Sequence, residues 1–209
     1  MAVRSQSSQS LLGRILPQSA LAGLVAFVVG YLVTVVFIFV DGVDFGGDAG
    51  WVKVAGWVFY AAHTVKLRVT GTAGDSSASR TFNLFDGVSQ LTNLTDAVPE
   101  IIYLFVPVFV LVGSGFVLVR RAGDGQTSVA TAAGVGASIV AGYLPLAVLG
   151  QVLFSHTESG FGGAASVTVG SDLVTSVLLV GLVYPVVCGV VGGVLAQQTG
   201  TDTTASYRM

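Results

Sequence analysis

Apolar residues in this chain do not alternate with polar ones as in a soluble fold; they gather into four blocks. The third block, Val129 to Phe154, runs for 26 residues without Asp, Glu, Lys, Arg or His. As a helix it reaches about 39 Å at ~1.5 Å per residue. A hydrocarbon core is only ~30 Å thick, so this stretch can cross it with some tilt. The first block, Ala20 to Val40, ends abruptly at Asp41. A cleaved signal would carry an apolar region of roughly 7–15 residues, so the longer block reads as an uncleaved first span. The second, Ile101 to Val119, opens after Pro99-Glu100 and closes at Arg120-Arg121, and the fourth runs from Leu173 to Ala196 with Ser171 or Asp172 as its cap. The pattern predicts an all-α membrane protein: four transmembrane helices in a bundle, with spans at 20–40, 101–119, 129–154 and 173–196.

The polar segments define the rest. Residues 1–19 read as a cytoplasmic segment with a short apolar stretch at Leu11 to Leu16, 120–128 and 155–172 as loops, and 197–209 as a disordered tail. The long segment 41–99 reads as a small extracellular insertion between spans one and two. It opens on Asp41, Asp44 and Asp48 among glycines, which reads as a solvated acidic turn because the ligand spacing of a calcium loop is absent. Trp51, Val54, Trp57, Val58, Ala61 and Ala62 then recur at helical spacing. Lys53, His63 and Lys66 leave too short an uncharged run to cross, and two Trp with Tyr60 suit headgroup depth. An interfacial helix, or a lid over the bundle, is expected. Val65, Leu67 and Val69 alternate with polar residues, as Phe82 and Leu84 do beyond a Gly/Ser turn, predicting a β-hairpin that needs further packing. Asp86 reads as the cap of a short surface helix that leads to Pro99.

Composition agrees with the pattern. Hydrophobic residues make up 53% and charged residues 10%, and the mean hydropathy is +0.82, outside the range of soluble domains. A net charge of -2 offers no basic patch for nucleic acid. Cys188 is the only cysteine, so no intrachain disulfide forms and its place inside a span makes it a small packing residue. Arg4, Arg14, Arg120, Arg121 and Arg208 fall on one side of a four-span topology, and the loop after span three has no Lys or Arg. The positive-inside rule therefore places both termini in the cytoplasm of a multi-pass cell-membrane protein. Asn93-Leu94-Thr95 is an N-glycosylation acceptor triplet on the outer side of that topology.

Small residues supply the clearest candidate contacts. Ala130, Gly134, Ser138 and Gly142 form a row on the third span, and Gly181, Pro185, Gly189 and Gly193 a row on the fourth. Helices in lipid associate through close packing, so the two ridges are expected to mate. Pro107, Pro145 and Pro185 lie inside spans and are candidate kinks. None of the four spans contains an ionisable side chain of Asp, Glu, Lys, Arg or His, the residues from which proton relays and ion pumps are built. His63 and His156, with Glu158 or Asp44, are too scattered to read as a metal site. No cofactor, metal site or catalytic set is expected.

The stretches GWVFYAAH (Gly56 to His63), GYLPLAVLG (Gly142 to Gly150) and DLVTSVLLVGLVYP (Asp172 to Pro185) resemble an uncharacterised membrane-protein family of halophilic archaea, often loosely labelled as transporters. The resemblance spans nearly the whole chain. It implies an archaeal cell membrane and four spans, and carries no substrate and no catalytic residue. The expected function is that of a non-enzymatic accessory, scaffold or envelope component, held in the lipid bilayer and acting through a protein partner or as a homo-oligomer. The alternative is a transporter or channel subunit with proline-kinked helices.

Overall fold

The computed structural model describes residues 3–42, 49–85, 97–122 and 128–205. Asp44, Asp48, Asn93 and the helix expected from Asp86 lie outside the described residues. The elements run in the order α1 (Val3–Val40), α2 (Gly50–Ala62), β1 (Leu67–Ala73), β2 (Ser76–Phe82), α3 (Glu100–Ala122), α4 (Val129–Ala137), α5 (Val140–Leu153), β3 (His156–Gly160), β4 (Ala165–Ser171), α6 (Leu173–Ser176), a π-helical stretch (Val177–Val183) and α7 (Tyr184–Ala205). Among the described residues the protein is mostly helical, with one small antiparallel sheet. Four helices among them are long and apolar enough to cross a membrane: Leu16–Val40, Glu100–Ala122, Val129–Leu153 and Leu173–Thr199.

Several boundaries differ from the sequence pattern. The first helix starts at Val3 rather than near Ala20, and the last continues to Ala205 instead of ending at Ala196. Extending an existing helix adds one hydrogen bond per residue without a new nucleation step, so polar flanks join the apolar core of the span. The third span is broken at Ser138 and Ile139, and Pro145 lies inside the helix that follows. There the Ser138 hydroxyl donates to the Val135 carbonyl at 2.5 Å, and the Ile139 N–H reaches Gly136 instead of Val135. The tighter i−3 pattern ends α4 and α5 starts afresh. Segment 155–172, expected as a loop, forms β3 and β4.

The chain divides into two compact units. The first comprises Met1–Val28, Val108–Leu146 and Gly181–Met209. Within it α4 and α7 pack backbone to backbone. A Cβ on Gly136 would strike the Gly189 carbonyl and lie 3.1 Å from the Gly193 Cα, and one on Gly193 would strike the Ala132 carbonyl. On α3, a Cβ at Gly115 would sit 2.6 Å from the Gly189 oxygen. Gly142 lies against Ala20, and Gly23 against Ile139, where the Ser19 and Ser138 hydroxyls meet at 2.6 Å. Phe27 meets Tyr143 edge-on at 5.1 Å. Ala130 and Gly134, expected in the contact row, are exposed, and a Cβ at Gly134 would meet nothing. The row rotates out of contact because a helical period of 3.6 carries Ala132 and Gly136 to the face that α7 covers.

The second unit comprises Val29–Pro107 and Ala147–Val180. Its sheet has the order β2-β1-β4-β3, all antiparallel. Leu67 of β1 pairs with Phe82 of β2 and Ser171 of β4, and His156 of β3 pairs with Val169 of β4. A two-stranded hairpin is marginal alone; two strands from the later segment complete this one. Ile38, Ala55, Val58, Ala61, Leu67, Leu84, Phe85 and Tyr103 form the core of the unit. Of the two placements expected for the second helix, interfacial or packed as a lid, burial of its last half from Val58 to Ala62 fits the packed one, because its apolar positions have α1 and the sheet to pack on.

Candidate functional site

Polar and aromatic side chains of the second unit converge around α2. Gly56 creates the space: a Cβ there would run into the Phe154 ring. That ring stacks on Tyr31 at 5.5 Å with planes 7° apart, and Tyr60 meets its face edge-on at 5.8 Å. The Trp57 indole N–H donates to the Phe154 carbonyl at 2.6 Å, and the Tyr60 hydroxyl donates to the Ala147 carbonyl. Both donors engage backbone oxygens on or just beyond α5, so Trp57 and Tyr60 clamp α2 to that helix. Burial raises the Tyr60 phenol above its ordinary pKa.

His63 follows α2 and is fully buried. Its Nδ1 lies 2.8 Å from the Phe59 carbonyl, which can only accept, so Nδ1 carries the proton. The ring packs edge-on to Phe59 at 4.8 Å. Burial lowers its pKa to about 4, outweighing the Phe59 bond that raises it. The ring is neutral at pH 7. Since the folded pKa lies below the unfolded value of ~6.5, the unfolded chain binds more protons between them. Stability is therefore complete above pH 6.5 and falls as the pH drops towards 4, by up to roughly 3 kcal/mol. Thermal unfolding scans from pH 7.5 to 4.5 should show this loss, and His63→Gln should flatten that part of the profile.

Asp41 is buried rather than solvated. One carboxylate oxygen accepts the Val98 N–H at 2.6 Å and the other accepts the Tyr103 hydroxyl at 2.6 Å. The residue that closes α1 thus anchors the start of α3. Around it Tyr103 meets Phe37 edge-on and tilts against Phe85. An acidic residue directly after a span, with Pro99 opening the next, is a weak signal for such an anchor; the spacing of 57 residues between Asp41 and Val98 hides it.

Three further sets of polar contacts fasten the sheet. Lys53 on α2 donates to His156 Nδ1 at 2.9 Å, and His156 Nε2 donates to Glu158 at 3.2 Å. Arg68 pairs with Asp172 at 2.7 Å. Asp172 also caps α6 through the Thr175 N–H and hydroxyl, and these bonds, with Arg68 adding, hold its carboxyl below the usual range. Gln151 grips Ser171, donating to its carbonyl and accepting its hydroxyl at 2.5 Å.

Each of these side chains is engaged in a hydrogen bond or an ion pair that ties two segments together. His63 and His156, considered together as a metal pair, have separate partners, and among the described residues no three His, Cys, Asp or Glu side chains converge. Cys188 is nearly buried. Pro107 and Pro145 lie inside α3 and α5. Pro185 follows the π-helical stretch that contains Gly181, and without an N–H it leaves the Gly181 carbonyl without its i+4 donor. The buried Ser176 hydroxyl just before that stretch has no hydrogen-bond partner among the described residues.

A family model described as a family of unknown function (DUF7978) matches residues 1–200, and the chain belongs to that family. No curated protein and no solved structure matches it.

Proposed function

We propose, taking the chain as a member of that family, that it is a multi-pass cell-membrane protein acting as an accessory, scaffold or envelope component through a protein partner or through copies of itself. No catalysis is part of this reading. The carrying observation is a pairing of surfaces. The candidate spans expose large apolar side chains, with Phe109 and Val152 each 70% exposed, while the sheet strands expose hydroxyls and charges. Apolar helical exteriors of this extent fit lipid, and the sheet fits water and a partner. In this reading both termini and Arg120-Arg121 are cytoplasmic, and α2 and the sheet lie outside. An archaeal, salt-loving source rests on the resemblance of the three sequence stretches alone.

Cysteine labelling tests the topology. In a Cys188→Ala background, Cys at Ser159 should react with an impermeant maleimide in intact cells, and Cys at Ala122 only after the membrane is opened. The reverse pattern rejects this orientation, and labelling of both in intact cells rejects the four-span reading. A transporter or channel subunit is the second reading, favoured by the helix break at Ser138 and Ile139 and by the π-helical stretch before Pro185. Interrupted helices of this kind line substrate sites in transporters. Substrate flux in liposomes holding the purified protein would move the weight to it.

A further inference from the structure

Among the described residues the sheet has two open edges, β2 and β3, and we infer that they are made for each other: β2 of one copy pairs with β3 of a second copy, extending the sheet from chain to chain. This inference deepens the self-assembly reading above and takes from it only the shared membrane orientation of the copies. Both edge strands are exposed along nearly their whole length. Exposed edges invite pairing unless charge or irregularity blocks them. Each carries one full charge of opposite sign, Arg80 on β2 and Glu158 on β3. Arg80 has no carboxylate partner among the described residues, and the Glu158 side chain is 58% exposed.

One register satisfies all five positions of β3. Setting Arg80 opposite Glu158 of the second copy in an antiparallel pair places Ser79 opposite Ser159, Thr81 opposite Thr157, Ala78 opposite Gly160 and Phe82 opposite His156. Charge meets opposite charge, hydroxyl meets hydroxyl, small meets small and ring meets ring, the cross-strand pairs that stabilise sheets. The sheet already uses such hydroxyl pairs, Thr72 with Ser166 at 2.7 Å and Thr157 with Thr168 at 2.9 Å.

Backbone geometry agrees independently. Successive residues of an antiparallel strand bond alternately to one neighbour and to the other. The registers across β2, β1, β4 and β3 are continuous. Carried through them, this alternation turns Ser77, Ser79 and Thr81 outward on β2 whenever it turns Thr157 and Ser159 outward on β3. In the opposite phase, Ala78, Arg80 and Phe82 turn outward together with His156, Glu158 and Gly160. The outward groups therefore meet in this register in either phase. Direction agrees too: β2 and β3 run oppositely in a four-stranded antiparallel sheet, so copies in one orientation present antiparallel edges. The contact is head-to-tail, and it builds a ring or an open row rather than a closed two-fold dimer.

Disulfide trapping in native membranes tests the pairing. With Cys188→Ala as background, copies carrying Ser79→Cys and copies carrying Ser159→Cys, co-expressed and oxidised, should give a cross-linked dimer about tenfold above either variant alone, because opposed Cβ atoms sit near disulfide distance. The double variant should give a ladder. Arg80→Glu should lower the yield roughly tenfold by opposing like charges, and adding Glu158→Arg to the same chain should restore it to within about twofold. No cross-link, a dimer from Ser79→Cys alone, or a cross-link to a different polypeptide each overturns the inference. Carbonate washing of the same sample reads the membrane placement separately: a chain retained in the pellet without cross-links rejects the assembly and leaves that placement standing.

Discussion

Leucine at Gly136 is expected to lower the apparent melting temperature of the detergent-purified protein by roughly 5–10 °C, or to abolish folded protein altogether. Gly136 on α4 lies where even a single Cβ strikes the Gly189 carbonyl of α7, and the Gly193 Cα stands close behind. Both obstacles are main chain, which cannot rotate aside as a side chain does. Relief requires the helices to separate, and separation removes the close contact that drives helix association in lipid. Overpacking commonly costs ~1–3 kcal/mol, and a backbone obstacle places this site at or above the upper end. Gly134, two residues away, supplies the control. Its Cβ would enter open space, and leucine is the better helix former by ~0.8 kcal/mol. Gly134→Leu should therefore leave the melting temperature unchanged or slightly raised. Equal losses from both substitutions would show that the contact face is not the one described.

Asp41→Ala is expected to destabilise the second unit by roughly 2–5 kcal/mol. The substitution strips the acceptor from two donors at once, the part-buried Val98 N–H and the buried Tyr103 hydroxyl. A buried donor left without a partner costs ~1–3 kcal/mol, and bonds to a charged acceptor stand at the high end. Asp41→Asn separates charge from shape. Its carbonyl oxygen still accepts from Val98, while its amide can donate to the Tyr103 oxygen, so about half of the loss or less should remain. Tyr103→Phe removes one of the two bonds and should fall between. Thermal unfolding of the three variants, followed by tryptophan fluorescence from Trp51 and Trp57, ranks them. A solvated acidic turn would make all three nearly neutral.

Much of the fold is written in the chain as period and run length. Four apolar blocks mark four helices because a long stretch without a charged side chain has few other stable states. The Gly/Ser-rich stretch between alternating segments marks a hairpin for the same local reason. The segment from Ser155 to Asp172 was opaque, since Ser, Thr, Gly and Val in short alternation suit a loop or an edge strand equally. What makes it β3 and β4 is the presence of β1, and that partner lies more than 80 residues away. Ala130, Gly134, Ser138 and Gly142 were visible as small residues, yet spacing alone does not give the rotation of a helix. Only the neighbours reveal that Ala132 and Gly136 meet α7 while Ser138 and Gly142 meet α1.

The candidate site divides in the same way. Trp57, Tyr60, His63, Asp41 and His156 are each conspicuous as polar or aromatic residues beside apolar spans, but their partners are the backbone oxygens of Phe154, Ala147 and Phe59, the Val98 N–H and the Lys53 amine. No residue type announces a backbone partner. By itself, then, the sequence determined that this chain is mostly helical, that four of its helices can cross a membrane and that none of those spans carries an ionisable group in its interior, because hydrophobic run length and charge are local properties. The tertiary structure alone decided that α2 is clamped to α5, that the acidic turn holds a buried anchor, and that two distant polar segments make one sheet. Burial, register and hydrogen-bond partnership are relations between remote parts of the chain, and they exist only once those parts are in contact.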